Sequence, residues 1–144
     1  MYERFTDGAR AAVKSAFCRQ TTVCERDILI ALNGSRGVAQ LLMVTVGDVA
    51  GRLPNGGAMV EKRALVEGAV AEARQRGLPY VGTEHILLAV ARLPGSALTS
   101  AGATAEQLDA LLSAHEANWR RAHPPLSRRI GAACRVALRW LRRA

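Results

Sequence analysis

The chain has 144 residues, 49% of them hydrophobic and only 4% aromatic, with a formal charge of +8. That length allows one domain, or one domain and a tail, with a real core. The charge is confined: residues 1–117 hold 12 Lys+Arg and 12 Asp+Glu, whereas residues 118–144 hold eight arginines and no acid. This argues against a uniformly basic nucleic-acid-binding domain and for a neutral body with a cationic C-terminal segment.

The apolar runs, such as residues 86–91, are far short of the roughly 20 residues of a membrane span. The opening Met1-Tyr-Glu-Arg-Phe-Thr-Asp7 carries acids where a signal peptide is apolar, so no export is expected. Cys18, Cys24 and Cys134 form an odd, unpatterned set. With only His85, His115 and His123 beside them, no metal-ligand spacing arises. The expectation is a cytoplasmic protein with reduced thiols, no metal and no cofactor. Arginine outnumbers lysine 18 to 2, a bias that fits a GC-rich genome.

In chain order, Phe5, Ala9, Ala12, Val13, Ala16 and Phe17 recur at spacings of three and four, which predicts a first amphipathic helix. Cys18 falls near its apolar face and reads as core. Ile28, Leu29 and Leu32 predict a short buried helix, and Leu65, Ala69 and Ala73 a longer one stopped by Gly77 and Pro79. Ile86, Leu87 and Val90 predict another short buried helix. No period-2 alternation persists, so no strands are expected, and the fold class is all-α.

These elements form two copies of one unit. At an offset of 58, Asp27-Ile-Leu-Ile-Ala-Leu32 falls on His85-Ile-Leu-Leu-Ala-Val90, and Gly37-Val-Ala39 on Gly95-Ser-Ala97. One residue further on, Thr45-Val-Gly-Asp48 falls on Thr104-Ala-Glu-Gln107, both with capping-box spacing. Each unit reads as a helix, a loop, a short buried helix, a second short helix after Gly37 or Gly95, and a capped last helix. Copy one covers about 1–54 and copy two about 58–117, joined through Pro54-Asn-Gly-Gly57.

At these residues the chain resembles the N-terminal domain of Clp-type AAA+ unfoldases, particularly the ClpC kind. The opening Tyr2-Glu-Arg-Phe-Thr-Asp-Gly-Ala-Arg10 is similar to that family's start, and Tyr80-Val-Gly-Thr-Glu-His-Ile-Leu-Leu88 to its most recognisable motif. The likeness covers about residues 1–115. It implies two four-helix repeats related by a pseudo-twofold axis, and a domain that is no enzyme. It implies docking of substrates and adaptors for the unfoldase ring and, in some members, capture of arginine-phosphorylated proteins or cyclic-peptide antibiotics. The implied partners are therefore Clp unfoldase or protease components, their substrates or adaptors, and cyclic peptides.

Two departures matter. Neither Lys14 nor Lys62 follows a glycine, so no P-loop is present and no ATP is bound; a stand-alone domain without the ATPase modules is expected. The first copy is also shorter around residues 20–23, where Thr21-Thr-Val-Cys-Glu-Arg-Asp27 replaces the Tyr-x-Gly-Thr-Glu-His motif.

Thr83 precedes an apolar helical run and reads as its N-cap, with Glu84 in the first turn. That alone accounts for both residues. The same helix start offers amides to an anion, while a carboxylate beside it pairs with a guanidinium. The resemblance implies that Thr83 and Glu84 form a phosphoarginine-like pocket. In the first copy Arg26 aligns with Glu84 and repels a guanidinium. Glu25, one residue away, would supply an acid if Thr22-Val-Cys-Glu25 capped an earlier helix start. His85 lacks a converging catalytic partner and reads as structural, and Cys24 has no evident activating neighbour.

Residues 118–125 read as a linker, with His123-Pro-Pro125 extended. Residues 126–144 have a clear helical period. Leu126, Ile130, Ala133, Cys134, Ala137, Leu138, Trp140 and Leu141 fall on one side and Arg128, Arg135, Arg139, Arg142 and Arg143 on the other. Three uses fit this basic amphipathic helix: packing on the body or a second copy, recruitment to an anionic membrane, or contact with an acidic protein or nucleic acid. The last two make up an alternative function, with the body as a spacer. Anionic vesicle and DNA binding by residues 1–117 and by the full chain separates these uses. Loss of binding on truncation assigns it to the tail; unchanged binding leaves the tail structural.

Overall fold

A computed structural model of the chain describes residues 4–35, 37–53 and 56–123. The chain divides into two compact units, Met1–Leu111 and Leu112–Ala144. Seven helices and two short strands are found among the described residues. The predicted tail helix over 126–144, with Trp140 and its arginines, lies outside them.

The first helix, α1 (Asp7–Phe17), starts where the Thr6 hydroxyl accepts from the Ala9 amide, and Ala9, Ala12, Val13 and Phe17 are its buried face. The chain then forms β1 (Thr22–Cys24), α2 (Glu25–Asn33), α3 (Val38–Val46) and α4 (Val49–Arg52). β2 (Met59–Glu61) leads into α5 (Lys62–Gln75), followed by α6 (Thr83–Ala91) and α7 (Ala105–Ala122). Leu65, Val66, Ala69 and Ala73 form the buried side of α5, which ends at Gly77 in a left-handed conformation (φ +67°), as its sequence predicts.

All nine residues of α6 are buried. A helix that is apolar all round is stable only when neighbours cover every side. α1, α2, α3 and α5 pack against it. α2 lies further out: Ile28, Leu29 and Leu32 face the core while Arg26, Asp27 and Ile30 are exposed. The two helices that align in sequence therefore differ in depth. No single described helix is long and apolar enough to cross a membrane.

The structure corrects several expectations. The architecture is mainly helical, not purely so: β1 and β2 pair antiparallel, with Thr22 opposite Glu61, Val23 opposite Val60 and Cys24 opposite Met59. Three-residue strands are too short for alternation to register in sequence, although Val23 and Val60 both point inward. A single parallel bridge also joins Phe5 to Val81. Thr45 does not cap a helix; it lies inside α3 and its hydroxyl donates to the Leu41 carbonyl at 2.9 Å. Asp48 takes the capping role, accepting from the Gly51 amide at 3.1 Å.

Thr104 does cap α7, accepting from the Gln107 amide at 3.2 Å. The short helix expected directly after Gly95 is not found among the described residues. Residues 97–102 form turns that end at Gly102 (φ +90°), so among the described residues three helices follow β2 where four precede it. Thr99 and Ser100 are weaker helix formers than the Leu41-Leu42-Met43 run of α3. α7 continues through Ala122, which makes residues 118–122 helical rather than linker. In the second unit, Trp119 and His123 stack with ring centroids 4.6 Å apart.

Because Leu88 is completely buried on α6, Leu88→Ala is expected to destabilise the protein by about 2–5 kcal/mol. Leu41→Ala on the exposed side of α3 should cost no more than about 0.5 kcal/mol. Urea unfolding followed by circular dichroism measures both.

Candidate functional site: the buried starts of α6 and α2

The motif residues of the second half converge at the first turn of α6, but not with the roles their spacing predicts. Gly82, not Thr83, is the N-cap. The Thr83 hydroxyl is buried and accepts from the Ala39 amide of α3 at 3.3 Å. Gly37 makes this approach possible, since a Cβ there would come within 2.0 Å of the Thr83 hydroxyl oxygen. The Thr83 side chain therefore joins two helices.

Glu84 is 7% exposed, and its carboxylate turns back over Gly82, where a Cβ would meet its oxygens at 2.2–2.3 Å. It thus lies against the positive end of the helix dipole. The adjacent His85 is fully buried, and its Nδ1 accepts from the Gly82 amide at 2.9 Å. That bond leaves the ring proton on Nε2, which is buried and has no hydrogen-bond partner among the described residues. Burial, and then the positive charge of Arg76, lower the His85 pKa to about 4, so the ring is neutral at pH 7. With Nδ1 engaged by backbone and the ring enclosed, His85 is placed as a structural residue. Tyr80 meets its ring edge-on, with centroids 6.5 Å apart.

Arg76 belongs to an ionic cluster between α5, α6 and the start of α7. It pairs with Asp109, while Arg92 pairs with the buried Glu72 at 2.7 Å and reaches Asp109 at 3.8 Å. Nothing in local sequence spacing pointed to this cluster, because its members come from three helices.

Glu25 opens α2 and is completely buried. The capping box predicted over Thr22–Glu25 does not form, because Thr22 belongs to β1 and Cys24 is the N-cap. Glu25 Oε2 instead accepts from the Ala58 amide at 3.0 Å and the Ala97 amide at 2.9 Å. Its Oε1 is buried without a hydrogen-bond partner among the described residues. A carboxylate enclosed in this way is a cross-link between distant segments, not an exposed pocket wall. Arg26 is exposed.

Sequence reasoning missed the amide partners of Thr83 and Glu25, yet a signal for them existed. Thr83 is 58 residues after Glu25, and Ala97 is 58 residues after Ala39. The two hydrogen bonds thus join equivalent positions in opposite directions, from the first half into the second and back.

The cysteines also differ from expectation. Cys18 is not core; it is exposed just past the end of α1, where the chain turns through positive φ. Cys24 is half-buried and its thiol donates to the Asp27 carboxylate at 3.1 Å. Among the described residues no three His, Cys, Asp or Glu side chains converge as a metal site would require. The basic residues Arg128, Arg135, Arg139, Arg142 and Arg143 lie outside the described residues.

Two outcomes follow. Glu25→Ala leaves two part-buried amides without an acceptor and should cost about 1–3 kcal/mol, whereas Glu25→Gln keeps an oxygen acceptor and should cost less than half of that. Chemical denaturation distinguishes them. His85 has a pKa that is lower folded than unfolded, so its contribution is complete above about pH 6.5. It is lost as pH falls towards about 4, at up to about 1.4 kcal/mol per pH unit. Stability measured at pH 7.5 and 5.0 should show this loss, and His85→Gln should reduce the difference. The chain matches no family model and no curated protein.

Proposed function

We propose that the chain is a non-enzymatic protein- or peptide-binding module of the Clp N-terminal-domain kind, acting in the cytoplasm as an adaptor, competitor or decoy for an unfoldase. The observation that carries this reading is the reciprocal pair of core hydrogen bonds, Ala39 to Thr83 and Ala97 to Glu25, at one offset of 58 residues. Paired bonds of this kind are what a pseudo-twofold double repeat requires. The lead-in segments support the same arrangement: Phe5 before α1 bridges to Val81 before α6, and Val60 before α5 pairs with Val23 before α2. One contact is parallel and the other antiparallel, and the second half has turns in place of a helix, so the two copies have diverged.

Within this reading Glu84 is the ligand contact and Thr83 is a packing residue. Glu84 keeps 10% of its side chain exposed at the first turn of α6. A guanidinium would draw the carboxylate outward into paired charge-assisted hydrogen bonds, leaving the amides of the helix start to an attached phosphoryl group. The first half offers no equivalent pocket, because Glu25 is enclosed and Arg26 carries the opposite charge.

Titration with an arginine-phosphorylated peptide tests the pocket. Glu84→Ala should weaken binding by about tenfold or more; equal affinity in both proteins removes Glu84 from the site. Added to an unfoldase–protease reaction, the protein should slow degradation of a substrate bearing the same modification. No effect at saturating concentration argues against the competitor role.

A further inference from the structure

A second surface, apart from the start of α6, has the composition of a peptide-binding groove. It has a volume of about 610 Å3 and runs along the outer side of α5, beside the segment that precedes α1. Val66, Val70 and Arg74 follow one another at four-residue spacing on one stripe of α5, with Glu67 and Ala71 on the next. Eight residues of helix make the stripe about 12 Å long. Val66 is buried and Val70 half-buried, which gives the groove an apolar floor, and Arg74 stands exposed at its C-terminal end.

Arg4 forms another part of the wall. Its carbonyl accepts from the Val81 amide at 2.8 Å, and the Thr6 amide donates to Val81 at 3.0 Å, so the backbone on both sides is held. Arg4 and Arg74 have no carboxylate partner among the described residues. Several other arginines of this unit are engaged, Arg76 by Asp109, Arg92 by Glu72, Arg63 by Glu67 and Arg10 by the Phe5 carbonyl, whereas Arg19 and Arg26 are exposed away from this groove. The one acid that lines the groove among the described residues, Glu67, is paired with Arg63 at 2.8 Å. Two unneutralised guanidinium groups therefore border an apolar floor.

We propose that this groove binds an acidic peptide segment in which carboxylates alternate with aliphatic side chains. The aliphatic groups cover Val66 and Val70, and the carboxylates pair with Arg4 and Arg74, for which guanidinium fork geometry is suited. Among the described residues the lining contains no aromatic side chain on which a base would stack, which favours a peptide over a nucleic acid. This site does not depend on the Glu84 reading, and either can fail without the other.

The probe is a fluorescein-labelled peptide of alternating glutamate and leucine, titrated against the full chain by fluorescence anisotropy. The arginine-rich C-terminal segment attracts any polyanion, so the comparison is between variants of equal net charge. Arg74→Glu and Arg4→Glu alter exposed side chains that lose no partner, and each should weaken binding by about tenfold or more. Arg26→Glu, on the exposed side of α2, makes the same charge change elsewhere and should alter binding by less than about twofold. Replacing leucine by serine in the peptide should also weaken binding by about tenfold. Equal losses from Arg26→Glu and Arg74→Glu, no loss from Arg74→Glu, or equal binding of the serine peptide would each overturn the proposal. An oligothymidylate whose binding falls as much on Arg74→Glu as the peptide's does would overturn it in favour of a nucleic-acid groove.

Discussion

A helix that is apolar on every side has to bury its own polar beginning, and the structure around α6 is arranged to meet that requirement. The first amides of any helix lack partners within it, and a buried amide or hydroxyl left unpaired costs about 1–3 kcal/mol. At the start of α6 the Gly82 amide is taken by His85 Nδ1, and the Thr83 hydroxyl accepts from the Ala39 amide at the start of α3. These bonds set how closely α3 approaches α6, and that spacing in turn excludes any side chain at Gly37. The neutral state of His85 belongs to the same arrangement, because a charged ring would be enclosed without water.

The same problem at the start of α2 has a different solution. A carboxylate stands where the second half has a threonine hydroxyl, and its longer reach lets one oxygen accept from two amides, Ala58 and Ala97. The loop before β2 and the turn after Gly95 are thereby tied to one side chain. α2 has also kept an exposed polar side, so fewer neighbours are needed to cover it. Two stretches that are similar in sequence thus occupy different depths, and each has polar chemistry suited to its own depth.

This division bears on function. Polar residues in a recognisable motif invite a reading as ligand contacts, yet Thr83, His85 and Glu25 all have partners inside the protein. Of the two buried motif glutamates, Glu84 is the less enclosed, 7% exposed where Glu25 is fully buried. Two exposed guanidinium groups, Arg74 on α5 and Arg4 in the segment before α1, lie elsewhere, where Val66 and Val70 supply an apolar floor.

Much of the fold was legible in the amino-acid order. The buried sides of α1 and α5, the apolar run of α6, the stop at Gly77 and the cap at Thr104 all follow from periodicity and from local backbone chemistry. Features that local spacing does not encode came out differently. β1 and β2 are too short to alternate visibly, Cys18 is turned outward by a positive φ, and Asp48 rather than Thr45 caps the helix that follows. Sequence by itself determined the helical class, the core-facing residues and the distribution of charge, because these depend on neighbours within a few positions. Tertiary structure alone decided what each polar motif residue does, because the amides that engage Thr83 and Glu25 lie between 33 and 72 residues away.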